Sequence, residues 1–312
     1  MTRRFTRLAR AAAACTYLLI VLGAVVRVTG SGLGCGEHWP RCHGRWFPPL
    51  DDIGTLIEWN QRLFAGLVTV LVVAVAVVSW WESRATPTVR SEPACPLAAL
   101  GGASSSLPLS LVAVGLLALQ ITLGAVVVKL ALPPWTVILH LGTAMLLLAT
   151  LLVIARGKQR LTPGDSPGNP EAGLLGFSPG LRPGFVLLGL AFATVLFGAL
   201  TANLGAASAC LGFPLCNGQL VPTGNYLQYL HWLHRLLGFA LLGTLAWWAW
   251  RTRRPGPLAA LGLVLLQIGI AAAMVLLALP RGLQVAHAAV GTAVWAALVL
   301  AVSSGSPPPD AP

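Results

Sequence analysis

"LQITLGAVVVKLALPPWTVILH", Leu119 to His140, overlays "LQIGIAAAMVLLALPRGLQVAH", Leu266 to His287, without a gap. Leu, Gln and Ile at the start, Ala-Leu-Pro in the middle and His at the end are identical in the two stretches. Self-similarity on this scale marks two copies of one unit. Upstream the copies still correspond, since Gly23 lies twelve residues before Cys35 and Gly198 twelve before Cys210, and Gly30 and Gly205 match at the same offset of 175. The segments "WPRCHGRWFP" (Trp39 to Pro48) and "FPLCNGQLVP" (Phe213 to Pro222) run in parallel, with proline, cysteine, glycine and proline in register.

The solvent of these copies follows from composition. Of 312 residues, 56% are hydrophobic and only 9% charged, far from the roughly 25% charged residues of a soluble domain. About 20 helical residues cross the hydrocarbon core, and apolar runs of that length occur near 11–29, 57–81, 108–128, 135–155, 183–201, 229–250, 257–278 and 283–302. The expected fold class is therefore all-α and integral to the membrane, with eight transmembrane helices as two parallel-repeat four-helix bundles. Four spans is an even number, so both copies share one orientation, related by an axis along the membrane normal. The expected divisions are 1–156 for the first half, 157–182 for a linker, and 183–312 for the second half with a disordered tail "SSGSPPPDAP".

The net charge of +11 follows the membrane rather than a nucleic acid. Thirteen of the 20 Lys and Arg residues, from Arg3, Arg4, Arg7 and Arg10 to Arg251, Arg253 and Arg254, fall at the N-terminus or in alternate loops. The positive-inside rule makes those positions cytoplasmic, puts both termini inside and leaves the cysteine-bearing loops outside. Trp80, Trp81, Trp247, Trp248 and Trp250 mark the inner interface. The first span also has the basic start of a signal peptide, and "GLGC" the look of a degenerate lipid-attachment box. The charge alternation downstream holds only if that span is retained. Pro87 to Pro108 and Gly157 to Pro183 read as flexible cytoplasmic connectors.

"GSGLGCGEHWPRCHG", Gly30 to Gly44, offers Cys35, His38, Cys42 and His43 as zinc-type ligands. The second copy keeps Cys210 and Cys216 but no histidine among them. Shared cysteines without shared histidines, in loops on the oxidising side, point to disulfides Cys35–Cys42 and Cys210–Cys216, while Cys15 and Cys95 read as free thiols.

Ionisable groups at membrane depth are costly and mark function by default. His140 and His287 each sit a few residues into a span, and span 6 opens with "HWLHR", His231 to Arg235, where span 2 opens with "EWNQR", Glu58 to Arg62. A bis-imidazole haem site needs one histidine from each of two facing helices at matched depth, which His234 and His287 supply. Arg62 and Arg235 either snorkel to the interface or pair with haem propionates through a guanidinium fork. His231, His38 and His43 read as supporting or surface residues.

The pattern "LGAVVRVTGSGLGC…WPRCHG", then "IEW…R", then a histidine at the start of spans 4, 6 and 8 resembles the haem A synthase family from about residue 16 to 302. The resemblance implies an enzyme that oxidises the ring methyl of haem O to the formyl group of haem A, with water as oxygen source. It implies a haem b held by His234 and His287 in the second half, the substrate haem O on His140 in the first, and a catalytic Glu58. It also implies a bacterial plasma-membrane protein in contact with lipid, with a haem O synthase and a membrane electron acceptor as candidate partners; the placement of the charges leaves no nucleic-acid partner. The family often has a second histidine three residues after the glutamate. Here that position is Gln61, a poor iron ligand. The rival readings are a b-type electron-transfer cytochrome that leaves haem unmodified, and a transporter built on parallel repeats; the first wants two equivalent bis-histidine sites, which Gln61 denies it.

Overall fold

A computed structural model of the chain describes residues 2–49, 51–85, 106–157 and 182–303. Arg90, Cys95, Lys158, Arg160, most of both connectors and nearly all of the tail lie outside the described residues. Eight long helices account for most of the rest: α1 Arg3–Thr29, α2 Ile53–Ala85, α3 Leu107–Lys129, α4 Pro134–Arg156, α5 Arg182–Asn203, α6 Tyr226–Thr252, α7 Pro255–Leu276 and α8 Arg281–Val302. Among the described residues seven of them are long and apolar enough to cross a bilayer. The eighth, α6, is equally long at 27 residues. Its apolar stretch is cut short by His231, His234 and Arg235 at one end and by Trp247, Trp248, Trp250 and Arg251 at the other. The chain is an all-α, multi-pass membrane protein.

The helices outrun the apolar stretches that announced them. α1 starts at Arg3, where the Thr2 hydroxyl accepts the Phe5 N–H at 3.1 Å, so its basic first turns continue the helix beyond the hydrocarbon. It ends on Gly30 with φ +73°, whose N–H bonds back to Arg27 and Val26, a left-handed cap that glycine adopts without a Cβ penalty. Asn225 caps α6 by accepting the N–H groups of Leu227 and Gln228. The shared Ala-Leu-Pro forms the tight hairpins between α3 and α4 and between α7 and α8. Ala131 and Leu132 have φ +56° and +65°, and Ala278 and Leu279 have +57° and +62°. In each hairpin the leucine N–H closes the preceding helix, on Val127 O at 2.9 Å and on Met274 O at 2.7 Å. Left-handed non-glycine residues cost about 1–2 kcal/mol each, so a double occurrence at matching points of both copies is a built feature.

α1, α2, α3 and α4 pack in a ring, each on the next, and so do α5, α6, α7 and α8. The rings meet where α1 lies on α8 and α4 lies on α5 and α8. The buried core runs through both, from Phe5, Ala9 and Val72 through Leu148 and Leu151 to Leu245 and Leu298. Two polar clasps cross the seam: the Trp295 indole N–H donates to Met145 O at 2.9 Å, and the Tyr17 hydroxyl to Ala289 O at 3.0 Å. At the other end of the helices Trp80 lies 3.9 Å from the Arg84 guanidinium, a cation–π pair suited to a membrane interface.

Candidate functional site

The loops after α1 and α5 are closed by disulfides Cys35–Cys42 and Cys210–Cys216, with S–S distances of 2.00 and 1.93 Å. Cysteines committed in this way leave no thiolate for a metal, and no cluster of three or more metal-ligating side chains occurs among the described residues. His43 has a backbone task. It stands at φ +50° where Asn217 stands at +52°, and its ring Nε2 bonds Gly34 O at 2.8 Å. Asn217 does the same work by accepting the Leu211 N–H and donating to Ala209 O. Cys15 is a free thiol on α1.

The first loop is fastened onto α2. Asp52 accepts the Thr55 N–H at 2.6 Å, and the Thr55 hydroxyl donates to Gly34 O at 2.6 Å. A Cβ on Gly34 would run into the Gly54 backbone, so glycine is required there. That approach delivers the Cys35 N–H to Glu58 Oε2 at 2.7 Å. Glu58 is 3% exposed, and its Oε1 accepts from Arg62 Nε at 3.1 Å and Nη2 at 2.5 Å. Its counterpart His231 bonds Ala206 O at 3.0 Å.

The sequence left Arg62 and Arg235 two roles, snorkelling to the interface or pairing with the carboxylates of a bound group. In the structure both guanidiniums are spent on the loops. Arg62 Nη1 donates to the carbonyls of His38, Pro40 and Arg41, and Arg235 donates to those of Cys210, Pro214 and Leu215. The indoles of Trp59 and Trp232 fasten the far limbs of the same loops, at Trp46 O and Leu220 O.

Beneath the loops each ring of helices repeats one arrangement. A glycine of the first helix faces the second: Gly23 faces Gln61, and Gly198 faces His234, where an added Cβ would lie 2.8 Å from the imidazole Cε1. A glutamine of the third helix meets a histidine of the fourth. Gln120 Nε2 is 3.1 Å from His140 Nε2, while Gln267 Nε2 is 3.0 Å from His287 Nδ1 and 3.2 Å from its Nε2. Gln61 therefore stands in the first half where His234 stands in the second. In the second half the ligand candidates meet, the rings of His234 and His287 being 6.4 Å apart between centroids and tilted by 79°.

These residues fit a haem. Metal–imidazole bonds of about 2 Å on either side of an ion separate two rings by about this distance. The buried side-chain nitrogen and oxygen atoms without a hydrogen-bond partner among the described residues are Gln120 Oε1, His140 Nδ1, His234 Nδ1 and Gln267 Oε1. Buried polar atoms are otherwise satisfied in folded proteins, so their concentration at these two places marks where a ligand belongs. The glutamines carried no ligand signal in the sequence; their identity in the two copies was the one clue.

Residues 6–299 match the family model described as cytochrome oxidase assembly protein. A protein named Heme A synthase from Symbiobacterium thermophilum is 32% identical over 295 residues, 90% of this chain and 89% of its own. The chain belongs to the haem A synthase family. Heme A synthase from Shouchella clausii is 32% identical over 243 residues, 76% of this chain and 73% of its own. The protein of that name from Bacillus licheniformis is 30% identical over 285 residues, covering 86% and 85%.

Proposed function

We propose that the protein is an oxidoreductase that converts the ring methyl group of haem O to the formyl group of haem A, for assembly into cytochrome oxidase. The observation that carries the reading is the facing pair His234 and His287, in a chain similar along its length to Heme A synthases. His234 and His287 hold haem b in the C-terminal half, and His140 holds the substrate haem in the N-terminal half. Bound there, haem b supplies one-electron transfer between substrate and a membrane acceptor.

Methyl plus water gives formyl, with protons and electrons released in equal number. Withdrawing electrons from the ring leaves cationic character on the methyl carbon, and the adding water must lose protons. A buried carboxylate stabilises the first and accepts the second, which is the role assigned to Glu58. Its bonds to Arg62 and to the Cys35 N–H fix it at the place where loop meets helix. Arg62 and Arg235 clamp the loops that exclude water from each pocket. Gln61 offers a carboxamide where the second half has the His234 imidazole, so His140 is the imidazole that would hold the substrate haem in the first half. The loops face outward, both termini face the cytoplasm, and a haem O synthase supplies the substrate.

The test is expression in a bacterium that makes haem O but not haem A, followed by extraction of the haems and mass spectrometry. A new haem of formyl mass is the expected result. Haem b alone with a bis-imidazole spectrum would make the protein an electron carrier, and absence of bound haem would leave a transporter.

A further inference from the structure

The two glutamines on α3 and α7 sit on helices that supply no ligand, yet each reaches a candidate ligand histidine 20 residues further on. Both amide oxygens are buried and without a partner. Nothing in packing asks for a carboxamide at those points, and a leucine would fill the space without stranding a polar atom, whose burial costs about 1–3 kcal/mol. A neutral imidazole has one donor nitrogen and one acceptor. When iron takes the acceptor, the other nitrogen keeps its hydrogen and needs an acceptor oxygen. A half-turn about the last side-chain bond exchanges the carboxamide nitrogen and oxygen in the same volume, and the oxygen then stands where the amide nitrogen now meets the ring.

We infer that Gln120 and Gln267 are positioning residues, each carboxamide oxygen accepting an N–H of its facing histidine: at His140 the bond falls on Nε2 and leaves Nδ1 bare for iron, and at His287, both of whose nitrogens lie within reach of the amide, a bond to one frees the other. This rests on the reading of His140 and His287 as haem ligands. Hydrogen bonds of this kind orient metal-bound histidines and raise their basicity. Each half then divides one task among four helices: a glycine makes room, a second residue offers or withholds a ligand, a glutamine sets the tautomer and a histidine binds. The difference between the halves lies at the second position alone, Gln61 against His234, while the orienting pair is kept in both.

The experiment is a redox titration of haem b in the purified full-length protein, wild type beside Gln267→Leu and Gln267→Glu. A carboxylate accepts more strongly than an amide, gives the imidazole more anionic character and favours ferric iron. Gln267→Glu is expected to lower the midpoint potential and Gln267→Leu to raise it, by about 59 mV for each tenfold change in the ferric-to-ferrous preference. Gln267→Leu also lowers haem content by about 10–100-fold, the usual loss with such a partner, and Gln267→Glu retains haem. Shifts of the same sign, unmoved potentials, or loss of haem from both variants would overturn the inference while leaving the haem site itself in place. Wild-type protein without haem b would overturn the site and the inference together. Gln120→Leu, with haem O as the added probe, is expected to weaken substrate binding by about 10–100-fold and to leave the haem b potential unmoved; equal affinity to wild type would confine the role to α7.

Discussion

Glu58 and the glycines that face the second helix of each half carry the sharpest consequences of single atoms. Glu58 is tied to Arg62 and to the loop N–H, so Glu58→Gln keeps the shape of the side chain but gives up the charge. That variant should retain haem b, bound in the other half, and yield no haem A on extraction; normal product would remove Glu58 from the chemistry. Gly198 and Gly23 give a paired contrast. Alanine in a helix is worth about 1 kcal/mol over glycine, yet at Gly198 its methyl would press to 2.8 Å on the His234 ring, whereas at Gly23 it would meet the mobile end of Gln61 at 3.3 Å. Gly198→Ala is expected to lower haem b content at least tenfold, within the range for disturbed metal ligands, and Gly23→Ala to leave it near wild type, both read from the visible spectrum of purified protein.

The loops and helix ends respond to different changes. The disulfides close loops with sequence separations of only 7 and 6, and short loops restrict the unfolded chain least, so replacing Cys210 and Cys216 together by alanine should cost about 2 kcal/mol. Thermal unfolding in detergent would measure it. The fold should survive, because Arg235, Trp232 and Asn217 hold the same loop by separate bonds. At the start of α2 the Thr55 backbone N–H holds the Asp52 carboxyl below its ordinary 3.8, with help from the Thr55 side chain. A lowered value means the cap is at full strength above the ordinary value and weakens as pH falls below it. Protection of the Thr55 amide from hydrogen exchange, taken relative to its intrinsic rate at each pH, should therefore fall below about pH 3.8 in the wild type but not in Asp52→Asn, whose amide oxygen caps without titrating. A pH-independent wild type would count against the cap.

Across the whole molecule, the basic ends and the tryptophan belt are what the proposed orientation rests on. Trp80, Trp247 and Trp250 all lie beside arginines, at the ends of α2 and α6 opposite the disulfide loops. The positive-inside rule then puts the loops outside. A fluorescent protein fused after Val302 should fold and glow, and alkaline phosphatase at the same point should be inactive; the reverse pair of results would invert the topology. The cross-seam bond of Trp295 to Met145 O ties the halves, so that the two proposed haem positions form one device.

Hydrophobic periodicity and charge alternation are properties of the chain read locally, because a continuous apolar run of about 20 residues in a bilayer satisfies its own backbone as a helix. Eight helices, their duplication and the cysteine pairs at matching places were accordingly plain in the residues from Gly23 to His287. So was the candidate pair His234 and His287, since similar depth on two helices that start at the same face is a matter of counting. Which groups those side chains meet is set by how the helices rotate against one another and how the loops fold back. Gln120 and Gln267 were only identical letters until the hairpins at Ala131-Leu132 and Ala278-Leu279 turned them onto histidines. That Arg62 and Arg235 donate to loop carbonyls likewise follows from the folded loops and not from the letters. Long-range contacts such as these depend on the packed whole, and a single helix does not hold the information to fix them.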